Sequence, residues 1–564
     1  MEALDWLVIG VFFLALIGII VWVVRQKQND SADYFLGGRD ATWLAIGASI
    51  FASNIGSEHL IGLAGAGASS GMAMAHWEIQ GWMILILGWV FVPFYTRSMV
   101  YTMPEFLERR YNPQSRTILS VISLVSYVLT KVAVTVYAGG LVFQQVFGIK
   151  ELWGIDFFWI AAIGLVVLTA LYTIFGGMKS VLYTSVLQTP ILLLGSLIIL
   201  VLGFKELGGW DEMMRVCGAV TVNDYGDTMT NLIRSNDDAN FPWLGALIGS
   251  AIIGFWYWCT DQFIVQRVLS GKNEMEARRG TIFGAYLKLL PVFLFLIPGM
   301  IAFALHQKYI GAGGEGFLPM LANGTANADA AFPTLVAKLL PAGVKGLVVC
   351  GILAALMSSL ASLFNSSAML FTIDFYKRFK PETPEKKLVC IGQIATIVIV
   401  VLGILWIPIM RSVGDVLYTY LQDVQSVLAP GIAAAFLLGI CWKRTSAQGG
   451  MWGLISGMVI GLTRLGAKVY YSNAGEVADS TFKYLFYDMN WLFFCGWMFL
   501  FCIIVVIVVS LATEAPTAEK IQGLVFGTAT KEQKAATRAS WNHWDIIHTV
   551  IILAITAAFY WYFW

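Results

Sequence analysis

Along its whole length this chain returns to runs of about 20 apolar residues, the length a helix needs to cross the hydrocarbon core of a bilayer. About fourteen such runs can be marked: 5–24, 42–66, 74–96, 117–147, 153–174, 181–204, 244–266, 280–305, 344–375, 388–410, 416–441, 449–471, 489–511 and 545–563. Composition agrees, with 58% hydrophobic and 13% charged residues, where soluble domains have about 45–50% and about 25%. The expectation is an all-α polytopic membrane protein. A net charge of +1 points to no nucleic-acid partner.

The basic residues then orient the spans. Gaps after odd-numbered runs hold most of the Lys and Arg, among them Arg97, Arg109, Arg110 and Arg116, then Arg267, Lys272, Arg278 and Arg279, then Lys377, Arg378, Lys380, Lys386 and Lys387. By the positive-inside rule those gaps are cytoplasmic, and both termini lie outside. No Lys or Arg precedes the first run and no small-residue cleavage site follows it, so it reads as a span and not a signal peptide. Two polar loops, 205–243 and 306–343, fall outside; the second carries the sequon Asn323-Gly324-Thr325. The seven cysteines form no CxxC and no disulfide framework. There is no Walker motif, no HExxH and no nucleophile elbow, so an enzyme is not expected.

Several polar residues interrupt the apolar runs. An ionisable group at bilayer depth costs about 2.5–3.5 kcal/mol on insertion scales, so each needs a partner or a role. Glu58 and His59 stand in the second run, Glu78 in the third, Lys131 in the fourth, Asp261 in the seventh and Lys288 in the eighth; Gln422, Asp423 and Gln425 open the eleventh. Lys131 and Asp261 are read as structural, and the others as lining a polar cavity. The stretch "SNIGSEH" (53–59) favours local hydrogen bonds over a continuous helix. Unwound backbone is tolerated at membrane depth only where it lines a cavity or is buried in protein. Such breaks near the midplane are typical of inverted-repeat secondary transporters, and their freed carbonyls can bind a cation. A second stretch, "GILAALMSSLASLFNSS" (351–367), puts Ala355, Ser358, Ser359, Ser362 and Ser366 on one helix face. Part of that stripe reads as close helix packing. Two hydroxyls and a carbonyl from it, all neutral oxygens, suit a hard monovalent ion.

The stretches "GRDATWLAIGASIFASNIGSEHLIGLAGAGASSG", "MPEFLERRY", "ALYTIFGG", "WYWCTDQFIVQR", "YLKLLPVFLFLIPGM", "LMSSLASLFNSSAMLFTIDFY" and "FLLGICWKR" resemble the sodium/glucose cotransporter branch of the solute:sodium symporters, from about residue 30 to 470. The resemblance implies a LeuT-type core of two inverted five-helix repeats, at 31–204 and 244–441. An extra helix lies before them in 1–30, an extracellular loop between them at 205–243, and three helices after them in 442–564. Broken helices are expected near Asn54 and near Gly254–Tyr257.

Carried over residue by residue, a sodium site falls on the carbonyls of Ala52, Ile55 and Ala355 and the hydroxyls of Ser358 and Ser359. A sugar site falls on Asn54, His59, Glu78, Lys288 and Gln422, with Tyr257 and Trp258 as aromatics; Leu63, Trp77 and Tyr418 match outer-lid positions. The implied function is sodium-coupled import of a monosaccharide of glucose or galactose type across the plasma membrane, or the inner membrane of a bacterium. A myo-inositol-type polyol carrier and a sugar-gated sensor or leak protein are the alternatives. Four departures stand out. Gly254 and Gln425 replace Thr, Ala361 replaces Thr, and Ser185 replaces the Asp that two-ion members use. One sodium per sugar is therefore expected.

Overall fold

The computed structural model describes residues 1–26, 30–56, 58–321, 324–411, 417–473 and 479–564. Asn323 and the side chains of Tyr418 and Asp423 lie outside the described set. Among the described residues, ten helices are long and apolar enough to cross a membrane. Runs 153–174 and 181–204 are two helices within the continuous stretch Phe157–Leu207, divided at Gly177 (φ 52°, ψ −147°). Only glycine takes that conformation without strain, and a Cβ there would stand against the Tyr34 carbonyl.

Four helices frame the centre of the molecule. We label Trp43–Asn54 α1, Trp243–Gly254 α2, Glu274–Lys288 α3 and Val344–Met369 α4. Helix α4 is buried over nearly its whole length, packed against Phe157–Leu207 and α1, while α3 packs along the other side of α1. Its all-round burial matches its sequence, which beyond Lys345 in the first turn holds only apolar and small or neutral polar residues. By contrast, Ala3–Arg25 and His543–Tyr562 show exposed Leu, Ile, Val and Trp along most of their length, as a lipid-facing helix does.

Both expected helix breaks exist, and one has moved. Helix α1 ends at Asn54, Ile55 is extended (φ −78°, ψ 103°), and a wide π-helical turn, Glu58–Leu63, resumes the path. The second break was expected near Gly254–Tyr257. The backbone there stays helical, widening into a π-helical turn over Phe255–Thr260, and becomes extended only at Asp261 (φ −76°, ψ 127°). Asp261 sets that position because its carboxylate caps the next helix, Gln262–Leu269, by accepting from the Phe263 amide at 3.3 Å.

Candidate ion site and solute cavity

The break after α1 leaves backbone carbonyls without intrahelical donors, and α4 supplies hydroxyls to them. Ser359 Oγ donates to the carbonyls of Ser53 (3.0 Å) and Ile55 (3.1 Å). Ser53 Oγ and Ser362 Oγ share a hydrogen bond of 2.6 Å. Ser358 Oγ lies 3.4 Å from Ser185 Oγ, which itself donates to the Val181 carbonyl at 2.6 Å. The fold thus brings Ile55 and Ser359 together, while the Ser358 hydroxyl meets Ser185, with Ala52 and Ala355 buried in the same packed pair of helices. Ser53 contributes both a hydroxyl and a carbonyl that the sequence did not single out. Among the described residues no group of three His, Cys, Asp or Glu is arranged to hold a metal. Neutral oxygens of this kind suit a monovalent hard cation.

A few ångströms away the same broken helix borders a cavity of about 50 Å³, lined by Asn54, Glu58, His59, Glu78, Tyr257, Lys288 and Gln422 among others. Lys288 Nζ, at the end of α3, donates to Glu78 Oε2 (2.6 Å) and Asn54 Oδ1 (3.2 Å). Asn54 Nδ2 in turn donates to the Tyr257 hydroxyl at 3.2 Å. His59 Nε2 lies 3.3 Å from Glu78 Oε2, and Lys288 Nζ sits 5.3 Å from the centre of the Trp258 ring. All seven expected solute-site residues therefore meet in one place.

Around this cavity three buried polar atoms lack a hydrogen-bond partner among the described residues: Nδ1 of His59, Nε1 of Trp77 and Oε1 of Gln422. Each such atom costs about 1–3 kcal/mol unless something pairs with it. They include donors and acceptors in one small volume, the complement of a ligand whose hydroxyls both give and receive.

Gln80 belongs to the cavity and was missed. Its Nε2 donates to the Ser250 carbonyl at 2.8 Å, and its Oε1 accepts from Trp258 Nε1 at 3.3 Å. A Cβ on Gly254 would stand 2.5 Å from that Oε1. Gly254 is thus the space that the Gln80 amide fills. The only sequence signal was its place two residues after Glu78.

Aromatic rings also line the cavity, among them Trp77 and Tyr257. Trp77 stacks on Trp491 (5.5 Å between centroids, 23° between planes) and meets Phe241 edge-on at 6.2 Å; Leu63 is fully buried nearby. Beside Tyr257, Lys131 pairs with Asp261 Oδ2 at 2.7 Å, while Tyr127 donates to Asp261 Oδ1. The Lys131 ammonium is also surrounded by four rings, those of Tyr127, Trp256, Tyr257 and Phe263, at 4.6–5.4 Å. Lys131 and Asp261 neutralise each other, the structural part assigned to them from sequence, and their pair also braces the Tyr257 ring.

A family model described as the sodium:solute symporter family matches residues 34–457. The chain belongs to that family. It is 37% identical over 542 residues to sodium/myo-inositol cotransporter 2 of Mus musculus, covering 94% of this chain and 80% of the relative. Sodium/glucose cotransporter 4 of Danio rerio is 36% identical over 537 residues, covering 92% and 80%. Among solved structures, a Na+-coupled sialic acid symporter has the same fold, with a TM-score of 0.73 at 22% identity, covering 92% of this chain and 99% of the other. This symporter is therefore a multi-pass membrane transporter with a LeuT-type fold, not an enzyme, and it couples a solute to sodium.

Proposed function

We propose that this symporter imports a hydroxylated six-membered ring, a monosaccharide of the glucose or galactose type, at one sodium per solute by alternating access. The observation that carries this reading is the set of unpaired buried atoms of His59, Trp77 and Gln422 around the Glu78–Lys288 pair. Asn54, His59, Glu78, Lys288 and Gln422 bond the ring hydroxyls. Tyr257 and Trp258 cover its C–H face. Ala52, Ile55, Ala355, Ser358 and Ser359 hold the sodium ion. A solute lacking a hydroxyl leaves one of these groups unpaired, and that penalty enforces choice.

A cyclic polyol of the myo-inositol type has equal support, because relatives at this identity are named as myo-inositol as well as glucose carriers. A ring carbon bearing hydrogen and hydroxyl presents the same chemistry to these side chains in either case. The two inverted repeats span 31–204 and 244–441, with 1–30 before them, the loop 205–243 between them and 442–564 after them. Both termini face outward, and the membrane is the plasma membrane or its bacterial counterpart.

Sodium-dependent uptake into proteoliposomes, with a panel of labelled hexoses, cyclic polyols, amino acids and organic anions, tests the reading. Accumulation of hexoses or inositol, and of neither other class, is expected. Sodium-driven uptake of amino acids or anions alone rejects it. Sodium-evoked current without solute accumulation would mark a sensor or leak protein instead.

A further inference from the structure

Glu58 is a carboxylate in the cavity wall for which the ion and solute sites described above have no use. Its neighbourhood is well defined. A Cβ built on Gly56 would stand 2.5 Å from Glu58 Oε2 and 2.9 Å from Ser359 Oγ. The carboxylate and that hydroxyl thus flank the same missing methyl group, and glycine at 56 is what lets both approach the broken backbone. Glu58 also lines the solute cavity. It stands between the two sites.

The other charges here are already matched. Glu78 is paired with Lys288 at 2.6 Å and Asp261 with Lys131 at 2.7 Å. Glu58 is within electrostatic reach of His59, Lys131, Glu78 and Lys288; its carboxylate accepts from its own backbone amide, yet among the described residues it forms no ion pair. The sodium ligands are all neutral oxygens, and Ser185 adds only a hydroxyl. A cation placed among them in a low-dielectric interior lacks a countercharge unless a nearby carboxylate supplies one.

We propose that Glu58 is the countercharge of the sodium site, acting across Gly56 on the ion held at Ser359 and Ile55. It is a positioning residue and not a sodium ligand. The idea rests on the ion-site reading above and adds the electrostatic element which that reading lacks. It also gives the break in α1 a second use: the turn that frees the carbonyls swings the Glu58 side chain back over them. With the ion bound, the formal charges of Glu58, Glu78, Lys288 and sodium sum to zero. Solute then enters a pocket without excess charge.

The test is sodium titration of the purified full chain without solute, read as the rise in melting temperature, alongside uptake kinetics in proteoliposomes. An opposite charge at this range is worth roughly ten- to a thousandfold in a binding equilibrium. Glu58→Gln is therefore expected to raise the half-saturating sodium concentration at least about tenfold. Its solute KM at saturating sodium should change little. Glu58→Asp, which keeps the charge but withdraws it, should fall between wild type and Glu58→Gln. If Glu58→Gln does not purify, a titration of Glu58→Asp that matches wild type overturns the proposal by itself. Wild-type sodium titration in Glu58→Gln, with Ser359→Ala shifted, overturns the countercharge and leaves the ion site standing. If Ser359→Ala and Ser358→Ala are also unshifted, the ion site itself is misplaced and the proposal falls with it. A raised solute KM with unchanged sodium titration would make Glu58 a solute acceptor, again overturning the proposal.

Discussion

Lys288 Nζ and Glu78 Oε2 are 2.6 Å apart, both residues about 97–99% buried, on helices 210 residues apart in sequence. Removing one partner of a buried pair leaves an uncompensated charge and costs about 3–5 kcal/mol, whereas replacing both is often tolerated. Lys288→Met and Glu78→Gln should each lower the melting temperature of the purified protein, and the double variant should recover most of the loss. Solute uptake should be lost in all three. Equal stability losses that simply add in the double variant would show the pair is not energetically coupled.

The hydroxyl of Ser359 bridges two carbonyls of the broken helix. Ser359→Ala should cost the ion about one hydrogen-bond equivalent, about 1–1.5 kcal/mol, and raise half-saturating sodium roughly tenfold. Ser358→Ala should act in the same direction. Sodium-activation curves of uptake decide this; two unchanged curves would remove both serines from the site.

Asn54 Nδ2 reaches the Tyr257 hydroxyl at 3.2 Å, while the ring of Tyr257 rests on Lys131. Tyr257→Phe deletes the hydrogen bond and keeps the ring. The expected outcome is normal surface expression with a lowered steady-state accumulation ratio, because the hold on the Tyr257 ring is weakened by about 1 kcal/mol. Tyr257→Ala should lower accumulation further. Full accumulation in Tyr257→Ala would exclude a gating part for the ring.

Gly254 and Gln80 share one volume. A side chain at 254 must push Gln80 off the Ser250 carbonyl and Trp258. Gly254→Thr should therefore raise solute KM about tenfold, the worth of a hydrogen bond left unmade, with sodium activation unchanged. Adding Gln80→Ala should restore part of the affinity by emptying the space. A Gly254→Thr protein with wild-type KM would show that Gln80 does not hold the Trp258 ring in place for solute.

With Ser185 bonded to the Val181 carbonyl, the second-ion position has no carboxylate. Reversal potentials in proteoliposomes at several sodium and solute gradients should give one sodium per solute. One charge crossing 100 mV supplies about 2.3 kcal/mol, and a tenfold sodium gradient adds about 1.4 kcal/mol. Accumulation should then be limited to a few hundredfold. A measured ratio of two rejects this assignment.

Local pattern decided a great deal by itself. Apolar runs of span length determine that the chain lives in a bilayer, since lipid leaves no other place for them. "SNIGSEH" determines a break, because Asn, Gly and Ser hydrogen-bond locally and helix there is weak. The serine stripe on α4 follows from helical periodicity alone. The resemblance to the symporter family supplied candidate residues for both sites.

Only the tertiary structure decided who meets whom. Sequence has no signal that Lys131 and Asp261 form one pair, or that Gln80 occupies the void at Gly254. It placed the second helix break at Gly254–Tyr257, whereas the extended residue is Asp261, fixed by a cap and by Lys131 on a distant span. Glu58 was legible as a costly charge in a span, but its place across Gly56 from Ser359 was not. Helix pattern is a short-range property of the backbone, set within a few residues. Pairing of charges and filling of voids depend on helices brought together from hundreds of residues apart, where burial makes each unmatched group expensive.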